Sequence, residues 1–153
     1  MKKLLVLLLS LLVFSFSFSS TINFEKVVNT SLGGYTNTKE QRFIKTEKEN
    51  DKYYKVHVNI DSNLFQTNSR FNIDAHKFFK YISNNYELSQ DERIALIFHD
   101  TLIDKYGNAD DYEVAEITFK TNELKKINWD NFLHIKIPNA ASHYWVHPAI
   151  NKK

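Results

Sequence analysis

Residues 54–60 read Tyr-Lys-Val-His-Val-Asn-Ile, so apolar and polar side chains alternate at every position. The four apolar residues are spaced two apart and therefore share one face of a strand. The polar residues Lys55, His57 and Asn59 share the other face. This period predicts a half-buried β-strand, which the turn-forming residues 61–63 end.

A helix is predicted after this strand, over residues 73–84. Asn72 precedes it and can cap it, because its side chain can accept a hydrogen bond from a free backbone N–H of the first turn. Phe78, Phe79 and Ile82 fall at helical spacing. These three side chains are the predicted buried stripe of the helix.

Residues 93–103 fit two structures. A capping box at residues 89–92 would start a helix there. The apolar residues 94, 96 and 98 also alternate as in a strand, and a turn signal that contains Gly107 follows them. Residues 112–119 are again typical of a strand. We favour a β-hairpin of strands 93–103 and 112–119, with the helix as the alternative.

The organisation of the chain follows from these elements. Residues 20–52 form a polar N-terminal segment, partly extended or mobile, in which residues 21–35 fit a strand or a short helix. Residues 36–52 fit an exposed edge strand or a mobile loop. Residues 53–153 are the predicted α+β domain. Its expected architecture is a small, mainly antiparallel sheet with one or two helices packed on one face.

The N-terminus is typical of a secretory signal peptide. Two lysines precede an apolar run over residues 4–18, and the small residues Ser17 and Ser19 stand two apart near its end. Signal peptidase requires small residues at these two positions, so we predict cleavage after Ser19. Residues 1–19 thus indicate a secreted or periplasmic protein, and the alternative is a protein anchored by an uncleaved signal.

Charge and cysteine content restrict the partners of the mature chain. Removal of Lys2 and Lys3 with the signal leaves 18 basic and 18 acidic residues. A neutral chain has neither the basic footprint of a nucleic-acid-binding protein nor a polybasic cluster for an anionic membrane. The chain has no cysteine. Its folding must therefore depend on burial of apolar surface without the disulfides that many small secreted domains use.

The C-terminal part of the chain contains two groups of candidate site residues. His134, His143 and His147 are candidate zinc ligands, because three imidazoles suffice for an open catalytic zinc site. Local hydrogen bonding or helix capping is the alternative role of these histidines. Trp129, Tyr144 and Trp145 are candidate ligand-binding residues that could stack on sugar rings. Their alternative role is that of ordinary core residues with a hydrogen-bonding polar group.

No motif for nucleophilic catalysis occurs in the sequence. The chain lacks a cysteine nucleophile, and no serine stands in a G-x-S-x-G turn. His99 is adjacent to Asp100, but neighbouring residues of a strand point to opposite faces. The sequence therefore favours an exported, non-catalytic domain, with no cofactor, that binds a protein or an envelope component. A zinc-dependent hydrolase that uses His134, His143 and His147 and a glycan-binding module are the alternatives.

Overall fold

The computed structural model describes residues 21–61 and 67–150, so the predicted signal peptide lies outside the described residues. The described strands are β1 (Phe43–Asn50), β2 (Tyr53–Asn59), β3 (Arg93–Ile103), β4 (Ala109–Lys120) and β5 (His143–Val146). The described helices are α1 (Phe24–Ser31), α2 (Thr67–Asn85), α3 (Thr121–Leu124) and α4 (Ile137–Ala140), and a 3₁₀ turn spans His134–Lys136. No described helix combines the length and the apolar character that crossing a membrane requires.

The strands form one mixed sheet in the order β1-β2-β3-β4-β5. Strands β2 and β3 are parallel, and the other neighbours are antiparallel. The predicted α+β class is confirmed, whereas the prediction of a mainly antiparallel sheet is wrong. The reason is the connection through α2, which carries the chain back so that β3 starts at the same end of the sheet as β2.

The hairpin of β3 and β4 confirms the strand interpretation of residues 93–103. Leu96 pairs with Ile117, and the side chains of both are fully buried. At the turn, the Asp104 carboxylate accepts hydrogen bonds from the backbone and the side chain of Asn108. Gly107 has a φ of 88°, in the left-handed region that favours glycine. The turn chemistry read from the sequence thus fixes the end of the hairpin.

Helix α2 is longer than the sequence predicted. It begins at Thr67, so Asn72 lies inside the helix and does not cap it. The additional turn is stabilised by Phe71, whose ring centroid lies 5.0 Å from that of Phe98 in β3. The predicted buried stripe is confirmed and extends over Phe71, Ala75, Phe78, Phe79 and Ile82. The stripe begins at Phe71, two residues before the predicted start of the helix.

The helices pack on one face of the sheet. The ring of Phe24 in α1 lies 5.5 Å from that of Tyr54, and Phe79 in α2 lies 4.8 Å from Phe119. The segment before residue 53 therefore shares the core and the sheet with the rest of the chain: α1 contributes three buried side chains, and β1 is an exposed edge strand.

A buried ion pair connects the residue before β1 to α2. Nη2 of Arg42 donates to Oδ2 of Asp74 over 2.6 Å, and each side chain is 1% exposed. Arg70 donates to the same carboxylate oxygen and also to Asp61. These contacts hold the start of the edge strand against the helix layer.

Candidate functional site

The face of the sheet opposite the helices is the candidate functional surface, and we name it the open face. Val56 and Val58 in β2 point into the hydrophobic core. His57 lies between them and therefore points to the opposite face of the sheet. The open face comprises Tyr53, Lys55, His57, Ile97, His99, Glu113, Glu116, Thr118, His143 and Trp145. Its side chains are mostly polar or aromatic, so this face differs chemically from the aliphatic and phenylalanine-rich core face.

Two histidines meet at the centre of this face. Nδ1 of His57 in β2 lies 2.9 Å from Nε2 of His99 in β3, and the ring centroids are 5.1 Å apart. The His57 side chain is 3% exposed and that of His99 is 12% exposed. A hydrogen bond between two imidazoles requires one ring to donate and the other to accept, so at least one of these nitrogens is unprotonated in this pair.

A β-bulge adds a carboxylate to the histidine pair. Phe98 pairs with Ala115, but His99 pairs with Glu113, so Val114 is the extra residue in β4. Without the bulge, strict alternation would place Glu113 on the same face as Ala115, in the core. With it, Oε1 of Glu113 lies 3.9 Å from Nδ1 of His57. The three side chains offer ligand atoms that all lie within 4.8 Å of one another, and we name them the His57–His99–Glu113 cluster.

Two further carboxylates lie near the outer nitrogens of the imidazoles. Oε2 of Glu47 in β1 lies 3.5 Å from Nε2 of His57. Oδ2 of Asp111 in β4 lies 3.2 Å from Nδ1 of His99. His99 therefore directs one nitrogen to His57 and pairs the other with a carboxylate, whereas Nε2 of His57 is buried without a hydrogen-bond partner among the described residues.

The electrostatics of the cluster favour a neutral His57. Burial lowers the pKa of His57 below its ordinary value of 6.5, and the nearby His99 lowers it further, while the carboxylate of Glu47 acts in the opposite direction. A neutral imidazole is the form that binds a metal ion. The lowered pKa thus favours the form of His57 that can bind a cation beside His99 and Glu113.

A polar cleft of about 520 Å³ occupies another part of the open face, and its lining residues are Tyr53, Arg93, Glu116, Thr118, Lys120, Ser142 and His143. Glu116 organises the cleft, because its Oε1 accepts hydrogen bonds from Tyr53 over 2.9 Å and from Thr118 over 3.0 Å. Burial raises the pKa of the Tyr53 hydroxyl above its ordinary value, so this group remains a donor. The cleft offers acidic, basic and hydroxyl groups to a polar ligand.

The predicted zinc ligands lie in three different local environments. His134 begins the 3₁₀ turn, His143 lines the cleft, and His147 follows β5. The ring of His147 packs 5.9 Å from that of Trp145, and its Nδ1 accepts a hydrogen bond from the backbone of Ala149. The metal-ligating atoms that converge in the described part of the chain belong to other residues, those of the His57–His99–Glu113 cluster.

The three predicted ligand-binding aromatics are also separated. Trp129 is 4% exposed in the core, where its indole N–H donates to the carbonyl of Leu124. Tyr144 faces the core side of β5, and its burial raises the pKa of its hydroxyl. Trp145 lies on the open face and is 38% exposed. Of the three, Trp145 is the one placed for contact with a ligand on the open face.

Sequence reasoning missed His57 and Glu113 as site residues. The polar face of the predicted strand contained His57, but nothing local distinguishes a solvent-facing histidine from one that meets another histidine 42 positions away. The bulge that redirects Glu113 also has no signal in the sequence. His99 was considered with Asp100, whereas its carboxylate partner is Asp111 across the hairpin.

Comparison of the chain with protein-family models, with curated proteins and with solved structures gives no significant match. The chemistry of the open face is therefore the basis for a functional proposal.

Proposed function

We propose that the protein is an exported, non-catalytic domain that binds a protein or another envelope component through the open face of its sheet. The observation that carries this proposal is the chemical contrast between the two faces. The helices bury the core face, and the open face combines a polar cleft with an exposed tryptophan and a cluster of ionisable groups. Exposed polar and aromatic groups held on a rigid sheet are typical of a binding surface.

The cleft supports this proposal because its polar groups are already oriented. Tyr53 and Thr118 both donate to Glu116, so their side chains need little further ordering when a ligand binds. Preorganisation of this kind reduces the entropic cost of association. Arg93 and Lys120 stand at the same cleft and supply positive charge for an acidic or hydroxylated group of the partner.

The same hydrogen bonds support a binding role over nucleophilic catalysis. An activated hydroxyl nucleophile requires a base within hydrogen-bond distance, and histidine is the usual base. The Tyr53 and Thr118 hydroxyls of the cleft donate to the Glu116 carboxylate, and the Ser142 hydroxyl donates to the backbone carbonyl of Thr118, so none of these three hydroxyls donates to a histidine.

The proposal of export is based on the signal-like residues 1–19. N-terminal sequencing of the protein from the periplasmic or extracellular fraction should give a chain that starts at Ser20, and an intact N-terminus in the membrane fraction would contradict export with cleavage.

Site-specific photo-crosslinking in the native host tests the binding surface. A photoreactive residue at Trp145, on the open face, should give a discrete crosslinked product at endogenous expression. The same residue at Lys77, which is exposed on α2, is the matched control and should not give that product. Substitution Glu116→Ala, which removes the acceptor of the cleft hydrogen bonds, should reduce the Trp145 crosslink. Equal products from both positions, or the protein alone from both, would refute the proposal.

A glycan is a second candidate ligand, because Trp145 is exposed and lies opposite Glu116 of the cleft in the β4–β5 pairing. An aromatic ring beside hydrogen-bonding groups suits a sugar ring and its hydroxyls. The chain has two tryptophans, and Trp129 is buried. Envelope polysaccharides that bind at the cleft should therefore shift the fluorescence of the wild type but not that of Trp145→Phe. An unchanged wild-type spectrum across a polysaccharide panel would contradict this candidate.

A further inference from the structure

We propose that His57, His99 and Glu113 form a binding site for a divalent transition ion of the zinc class. The inference deepens the proposed function, on which it rests, because it assigns a ligand to the centre of the same open face. Two imidazoles with one carboxylate form a ligand set that zinc uses when one coordination position stays open. Nitrogen ligands distinguish this site from the oxygen-rich sites that calcium and magnesium prefer.

The distances fit one ion between the three side chains. Tetrahedral zinc with Zn–N bonds of about 2.0–2.1 Å places two nitrogen ligands about 3.3 Å apart. The facing nitrogens of His57 and His99 are 2.9 Å apart. The rings would therefore need to separate by only about 0.4 Å, which is within reach of a small rotation of each side chain. Glu113 is 53% exposed and is free to complete the set.

The carboxylate at the outer nitrogen of His99 is a second, independent observation in favour of a metal. Metal-bound histidines almost always pair their other ring nitrogen with a carboxylate, a carbonyl or water, which fixes the ring orientation and raises its basicity. Asp111 occupies this position for His99, and the carboxylate of Glu47 lies 3.5 Å from Nε2 of His57 without a hydrogen bond between them. A histidine pair that served only to fill the sheet surface would not require this carboxylate on the outer nitrogen of His99.

The charges around the cluster are consistent with a bound cation. Lys45 pairs with His57 in the β1–β2 register, but its ammonium group contacts Glu47 over 2.6 Å. Glu113 and Asp111 supply negative charge from β4, and both are more than half exposed. An ion can therefore enter from solvent. Three protein ligands leave a fourth position for water or for a donor atom of the proposed partner.

Calorimetric titration of the full chain with ZnCl₂, without a histidine tag, tests the site. We expect one zinc ion per chain in the wild type and no comparable binding of MgCl₂. His99→Asn and Glu113→Gln remove ligands and should weaken zinc binding by more than about 100-fold. Asp111→Asn removes an outer partner and should weaken it by about 10–100-fold. His143→Asn, on the same face but outside the cluster, is the control and should bind zinc as the wild type does.

Thermal unfolding of each variant separates loss of the site from loss of the fold. Zinc should raise the Tm of the wild type and of His143→Asn, but not that of His99→Asn or Glu113→Gln. Absence of zinc binding to a folded wild type, or equal weakening by His143→Asn, would overturn the metal site. The crosslinking experiment with Trp145 and Lys77 does not depend on zinc, so failure of the metal site and failure of the binding surface are distinguishable.

Discussion

Substitution of Asp74 by alanine should destabilise the protein strongly. Its carboxylate accepts from Arg42 over 2.6 Å and from Arg70 over 3.3 Å, and the Arg42 and Asp74 side chains are each 1% exposed. Asp74→Ala would leave the Arg42 guanidinium buried without its counter-ion. Removal of one partner of a buried pair typically costs about 3–5 kcal/mol. For a protein of this size, that cost lowers the Tm by roughly 6–20 °C, at about 2–4 °C per kcal/mol.

The matched control is the exposed ion pair of Lys80 and Asp130. These groups are 2.9 Å apart, and the Asp130 side chain is 85% exposed. Exposed pairs contribute about 0–1 kcal/mol, so Asp130→Ala should change the free energy of unfolding by no more than that. Urea denaturation followed by circular dichroism measures both variants. A similar cost for Asp74→Ala and Asp130→Ala would refute the reasoning about the buried pair.

Three further predictions concern the core, the hairpin turn and the site. Phe79→Ala should lower the free energy of unfolding by about 3–5 kcal/mol in urea titrations, because Phe79 is fully buried and its ring centroid lies 4.8 Å from that of Phe119. A loss below about 1 kcal/mol would contradict that packing. Gly107→Ala should cost about 1–2 kcal/mol in the same assay, because an added Cβ meets nothing within 4 Å and the penalty comes from the positive φ alone. Burial lowers the pKa of His57 below 6.5 in the folded protein, so on acidification the imidazole is protonated in the unfolded chain at a higher pH than in the folded one. The stability should therefore fall as the pH drops below about 6.5. His57→Asn should show a shallower pH dependence over that range, and an unchanged slope would count against a buried neutral imidazole.

Local patterns predicted much of the fold. The alternation of residues 54–60 identified β2, and the spacing of Phe78, Phe79 and Ile82 identified the buried stripe of α2. The parallel pairing of β2 with β3 was missed, although a strand, a helix and a strand in succession are the sequence order of a parallel crossover. The early start of α2 was missed because Asn72 is a residue type that commonly caps a helix, which indicated a start at residue 73. Phe71 precedes Asn72 and already belongs to the apolar stripe of the helix.

The candidate site was not predictable in the same way, because it depends on contacts between strands. His57 and His99 meet only through the register of β2 with β3. Glu113 joins them only because Val114 is bulged, and a one-residue change of register would turn its carboxylate towards the core. Histidines that are close in sequence, such as His143 and His147, attract attention as ligands, whereas the converging ligands come from three different strands.

The most direct test of the metal site at the centre of the open face is a crystal structure of the protein grown with zinc, with anomalous difference density measured at the zinc edge. The account predicts one strong peak between β2, β3 and β4, about 2.0–2.1 Å from Nδ1 of His57 and Nε2 of His99 and beside the Glu113 carboxylate. A peak at His134, His143 or His147 instead, or no peak at the His57–His99–Glu113 cluster, would contradict it.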